Sequence, residues 1–144
     1  MIKIICLGKI KETYLKDAIL EYTKRISKYS DIKIIELEDV GINDMKVVLK
    51  KEEEKILKVI DKKDYIITLE IDGKEISSKE FASKINEINI HNSNITFIIG
   101  GSFGLSDNIK SLSDFKLSFS RMTFPHQLFR VILLEQIYRA YKIN

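Results

Sequence analysis

Two stretches near the C-terminal end hold the residues best suited to chemistry. Gly100-Gly101-Ser102-Phe103-Gly104 sets three glycines and a hydroxyl between an apolar run and a helix start. Such a loop lets a ligand come close to the main chain. The same residues also make an ordinary tight turn, and the loop alone does not decide between the two. Ser118-Phe119-Ser120-Arg121-Met122-Thr123 offers hydroxyls, main-chain groups and two apolar side chains. That mixture suits a flat ligand of low charge, such as an adenosine, held by backbone hydrogen bonds between apolar walls. It is equally compatible with a plain strand end. His126 follows Pro125, where it could touch a substrate or help to end the loop.

What is missing narrows the chemistry. No Ser-His-Asp set and no paired-carboxylate site is visible, which disfavours hydrolysis. It favours a reaction that depends mainly on positioning, such as methyl transfer from a sulfonium donor. Neither a Walker A sequence nor a Gly-x-Gly-x-x-Gly dinucleotide fingerprint occurs. Cys6 is the only cysteine, so there is no disulfide framework and no zinc-ligand spacing. No metal is expected, and Cys6 reads as a packing residue of a buried strand. No apolar run reaches the length of a membrane span. The opening run Ile2–Leu7 is too short for a signal peptide, and the cytoplasm is the expected location.

Charge singles out the same region. Residues 1–115 carry 19 Lys or Arg against 20 Asp or Glu. Residues 116–144 carry Lys116, Arg121, Arg130, Arg139 and Lys142 against Glu135 alone. Arginines gathered beside a pocket suit a phosphate-bearing partner. The plainer account is a C-terminal helix with cations toward its end.

The remainder of the chain reads as the scaffold for these loops. A chain of 144 residues makes one domain. Apolar runs predict strands over 2–7, 32–37, 65–71, 95–99 and 115–119. Helical periodicity predicts helices from Thr13 to about Tyr29 and over 44–63. Ser77 and Glu80 form a capping-box signature for a third helix, and Ser106 caps a short fourth. Asp72-Gly73 signals a turn. The charged run Lys50–Lys55 reads as a solvated face with i,i+4 ion pairs. Strand and helix alternate five times, which predicts an α/β fold with a mostly parallel sheet and helices on both faces. In the final helix Val131-Ile132-Leu133-Leu134 points apolar groups in every direction. A sheet covers one side only, so a second copy of the chain is expected on the other, giving a homodimer.

Taken together, several segments resemble one family. They are Thr68-Leu69-Glu70-Ile71-Asp72-Gly73, Ile98–Leu105, Leu117–Gln127, and Arg130 with Glu135–Tyr141. The family is the ribosomal RNA large-subunit methyltransferase H family, of the SPOUT (α/β-knot) class, and the resemblance covers nearly the whole chain as a single domain over 1–144. It implies transfer of a methyl group from S-adenosylmethionine to N3 of a pseudouridine in the 23S rRNA of assembled ribosomes. It also implies a C-terminal trefoil knot and a homodimer. Carried over by motif, it places the cofactor against Leu69, Gly100 and Ser118, Phe119, Ser120, Arg121, Met122 and Thr123. For the RNA side, Arg121, Arg130 and Arg139 are expected near phosphates, and His126 and Tyr138 near the target base. One departure stands out: family members usually continue a few residues past the position of Asn144, with a Tyr-His pair that belongs to the RNA side. That difference bears on RNA binding, not on the cofactor. The alternative is a nucleotide-binding or ribosome-binding α/β module without catalysis.

Overall fold

A computed structural model describes residues 1–144. Strands and helices alternate in the order β1 (Ile2–Leu7), α1 (Thr13–Ile26), β2 (Ile32–Leu37), α2 (Met45–Val59), β3 (Tyr65–Glu75), α3 (Ser78–His91), β4 (Ile95–Ile98), α4 (Asp107–Ser111), β5 (Phe115–Ser118) and α5 (His126–Ile143). The strands form one sheet in the order β2-β1-β4-β3-β5. Every pairing is parallel.

The near-continuous apolar strands follow from burial on both faces. Ile4 and Cys6 of β1 join the larger core with Phe97, Ile67 and Leu117, under α1, α3 and α5. Ile5 and Leu7, one residue out of phase, join Ile66 and Ile98 in the smaller core with Ile56 of α2 and Ile109 of α4. The two-residue period of a strand delivers alternate side chains to the two layers. A buried ionic contact ties the sheet's N-terminal end together: Asp64, almost fully buried, accepts from Lys3 Nζ and Thr96 Oγ1, both at 2.9 Å.

The capping box of α3 is present as the sequence predicts, with the Ser77 hydroxyl and the Glu80 carboxylate each receiving the other's backbone N–H. Three expectations are corrected. Asp72-Gly73 does not end β3. The strand runs on to Glu75, and Leu69 and Lys74 both stand opposite Leu117 of β5. Residues 70–73 therefore bulge out of the ladder, as extra residues in one strand must. The run Lys50–Lys55 is not a solvated face throughout, because Glu52 and Glu53 are buried beneath the glycine loop. Finally, α5 is covered largely by its own chain. Leu133, Leu134, Ile137 and Ala140 have no exposed surface, since α1 and α3 flank the helix as well as the sheet beneath it. Only Val131 and Ile132 of the apolar quartet keep partial exposure.

Past β5, at the sheet edge, the chain turns back. By Arg130 it has recrossed to the end of β1, where the guanidinium meets the carbonyls of Leu7 and Gly8. No helix is long and apolar enough to cross a membrane.

Candidate functional site

The C-terminal ends of β3, β4 and β5 open onto one cavity of about 500 Å³. Ligands of open α/β sheets bind at strand ends of this kind. Three segments build it: the bulge of β3, the loop from β4 to α4, and the loop from β5 to α5.

The β4–α4 loop closes on itself. Gly104 N–H donates to Gly101 O at 3.1 Å, and Gly104 takes a φ of +76° that favours glycine. A Cβ on Gly100 would lie 2.5 Å from the Gly104 carbonyl carbon. Glycine at 100 is thus demanded by the loop's own turn, before any ligand arrives. The loop rests on α2. Glu53 accepts from Ser106 Oγ at 2.7 Å and from Asn108 Nδ2 at 3.3 Å, while Ser106 Oγ accepts from Ile109 N–H and caps α4. These hydrogen bonds hold the Glu53 carboxyl below its usual range. Glu52 is the opposite case. Its Oε1 has no hydrogen-bond partner, and a Cβ on Gly101 would touch the same carboxylate. Burial, reinforced by the charge of Asp39, pushes the Glu52 carboxyl upward.

The β5–α5 loop is stiffened by its own hydroxyls. Ser118 Oγ donates to Ser120 O at 3.2 Å, and Ser120 Oγ accepts from Met122 N–H at 3.0 Å. Phe129 packs edge-on to Phe119 at 5.0 Å and stacks on Phe124 at 5.9 Å, so an aromatic wall backs the loop. Glu70 and Asp72 project from the bulge, and Lys110 stands on the wall supplied by α4. The cavity therefore offers apolar faces, main-chain groups and charges of both signs. Those features fit a flat base joined to a zwitterionic tail, the chemical outline of S-adenosylmethionine.

Leu69, Gly100, Ser118, Phe119, Ser120, Met122 and Thr123 all line this cavity, and so does His126 in the first turn of α5. Arg121 is exposed beside it and does not line it. Arg130 is not available to RNA in this chain. It is 1% exposed, donating to Glu36 Oε2 at 2.8 Å and to the carbonyls of Leu7 and Gly8 at 2.7 Å each. Its charge is spent on the ends of β1 and β2. Tyr138 lies three turns beyond His126, about 18 Å along the axis at 1.5 Å per residue. It packs against Tyr22 of α1, and Arg25 lies over both rings. Arg139 is exposed and paired with Glu135. Tyr138 and Arg139 are thus remote from the cavity of their own chain.

Sequence reasoning missed Glu70, Ile71 and Asp72 as lining residues, together with Lys110 and the aromatic wall. The Asp72-Gly73 signal was visible, but it marks a bulge where a turn was expected.

A family model described as "Predicted SPOUT methyltransferase" matches residues 1–144. A protein of Clostridioides difficile named ribosomal RNA large subunit methyltransferase H is 51% identical, covering 99% of this chain and 94% of the relative. A Methanococcus maripaludis protein given the same name provisionally is 58% identical at the same coverage. Among solved structures, one titled a probable methylase family protein from Haemophilus influenzae superposes with a TM-score of 0.58 at 12% identity, covering 99% of this chain and 66% of that one. At that identity the likeness concerns the fold. With its whole length matched and half or more of its residues shared with these relatives, the chain belongs to the SPOUT methyltransferases, in the ribosomal RNA large subunit methyltransferase H family.

Proposed function

We propose that the protein transfers the methyl group of S-adenosylmethionine to N3 of a pseudouridine in 23S rRNA, and that it works as a homodimer in the cytoplasm. The observation that carries this reading is the single cavity where the glycine loop and the Ser118–Thr123 loop meet. The names of the relatives support rRNA of the large subunit as substrate. The choice of N3 and of pseudouridine follows from the resemblance in the sequence motifs.

S-adenosylmethionine, when bound, supplies a methyl group made electrophilic by its sulfonium. The chain's own part is binding and orientation. Phe119, Phe124 and Phe129 keep water from one wall. The hydroxyl-braced loop holds its main-chain groups in fixed directions, which lowers the entropy cost of bringing two reactants together. His126 and Arg121 stand at the cavity and beside it, where the RNA base and phosphates would approach. Leu128, Val131 and Ile132 lie at i, i+3 and i+4 on α5 and keep exposed or half-exposed apolar surface. A second chain over that stripe would reach the cavity's rim. The return of the chain from β5 to the end of β1 is the kind of crossing a trefoil knot needs, and we read the two cavity loops as its crossing segments.

Ribosomes that lack the modification, incubated with the protein and methyl-labelled S-adenosylmethionine, test the reading. Label at one pseudouridine of 23S rRNA is expected. Ribosome binding without any transfer would overturn it in favour of a binding module.

A further inference from the structure

The β3 bulge gives the cavity two carboxylates. Leu69 and Lys74 share one partner on β5, so the intervening residues leave the ladder and place Glu70 and Asp72 on the cavity wall. Glu70 is oriented there. The hydroxyl of Thr68, which has no exposed surface, donates to Glu70 Oε2 at 2.6 Å. Neither carboxylate belongs to any of the chain's ion pairs. Lys110, half-buried on α4, also lines the cavity and is likewise unpaired. The site thus keeps two carboxylates outside any ion pair of the chain, together with a cation suited to a ligand carboxylate.

We propose that Glu70 and Asp72 read the positive charge of the methyl donor, supplying a preference for the sulfonium over the neutral thioether that remains after transfer. The inference rests on the methyl-transfer reading above. The two ligands share base, ribose and amino-acid tail, so contacts to those parts favour neither. They differ by one methyl group and one positive charge. An unpaired carboxylate in a partly enclosed site also attracts the ammonium group common to both ligands, but that shared attraction cancels in the ratio of the two affinities and leaves the sulfonium charge. The same charge would favour release of the spent cofactor once its sulfonium is gone.

Calorimetric titration of the full chain with S-adenosylmethionine and with S-adenosylhomocysteine tests this, for wild type, Glu70→Gln and Asp72→Asn. The ratio of the two affinities is expected to move toward the thioether by about five- to tenfold in Glu70→Gln. A smaller shift is expected at the more exposed Asp72, and raised salt should shrink both shifts. An unchanged circular-dichroism spectrum and melting midpoint in the variants serve as the check on folding. A ratio equal to that of wild type, or a parallel loss of both affinities, would overturn the proposal and leave the methyl-transfer reading intact. A wild-type protein that binds neither ligand would remove the methyl-transfer reading itself, and this inference with it.

Discussion

Arg130 holds the last helix to the sheet. Its guanidinium fills three acceptor positions at the ends of two strands, and planar, fixed N–H directions make arginine the residue for such a fork. Arg130→Ala would leave the Leu7 and Gly8 carbonyls without their donor and Glu36 without its cation. The expected cost is about 3 kcal/mol, or about 10 °C in melting temperature for a chain of this size. Arg130→Lys should recover little of it. Thermal unfolding followed by circular dichroism checks this; an unchanged midpoint with weakened ribosome binding would return Arg130 to the RNA. The sequence told that an arginine stood near the pocket but not which way it pointed. Charge clustering counts residues along the chain, whereas the use of each charge depends on acceptors brought from Leu7, Gly8 and Glu36.

Among the elements, α2 places two neighbouring carboxylates under the glycine loop with opposite effects. Glu53 is stabilised as an anion, so its contribution is present above its unfolded value and is lost on acidification through the lowered folded value. Glu52 runs the other way. Its folded form holds the proton more tightly than the unfolded chain does, so stability is fullest below its ordinary value of 4.5 and declines as pH rises through the raised folded value. Glu52→Gln removes that decline. The variant should melt above wild type at about pH 7, and the two should converge at about pH 4. A variant that melts lower at neutral pH would mean that the carboxylate supports the loop in its charged form. The periodicity of α2 was legible, but its buried acids were not. A hydropathy pattern assigns every Glu to solvent, and only the loop folding back from β4 covers these two. Likewise, the capping box of α3 was readable because both partners lie within four residues. The β3 bulge was not, because it is defined by register against β5.

For the molecule as a whole, five parallel strands in strict alternation with helices could be read from periods of two and of about 3.6. The strand order could not, since pairing partners leave no mark on either period. Leu134 has no exposed surface within one chain, so its burial says nothing about a partner. Leu128, Val131 and Ile132 are apolar residues of α5 left for a partner to cover. Val131→Asp should shift wild-type dimers toward monomer in light scattering at micromolar concentration while the helical circular-dichroism signal persists, because a half-exposed position tolerates a charge in the monomer and a buried interface does not. A wild-type monomer under the same conditions would end the dimer proposal.

The hydrogen bonds from Arg130 to Leu7 and Gly8 join residues 123 and 122 positions apart. At roughly 5–20 residues per second, a ribosome makes those carbonyls on the order of ten seconds before the guanidinium that will bind them. Until then the first strand lacks its anchor, and the last of the cavity's three walls, the loop between Ser118 and His126, is itself completed only a few residues earlier. Every copy of this chain therefore spends its early life as a partial sheet with an open end and no ligand site, and its binding function arrives in one late step.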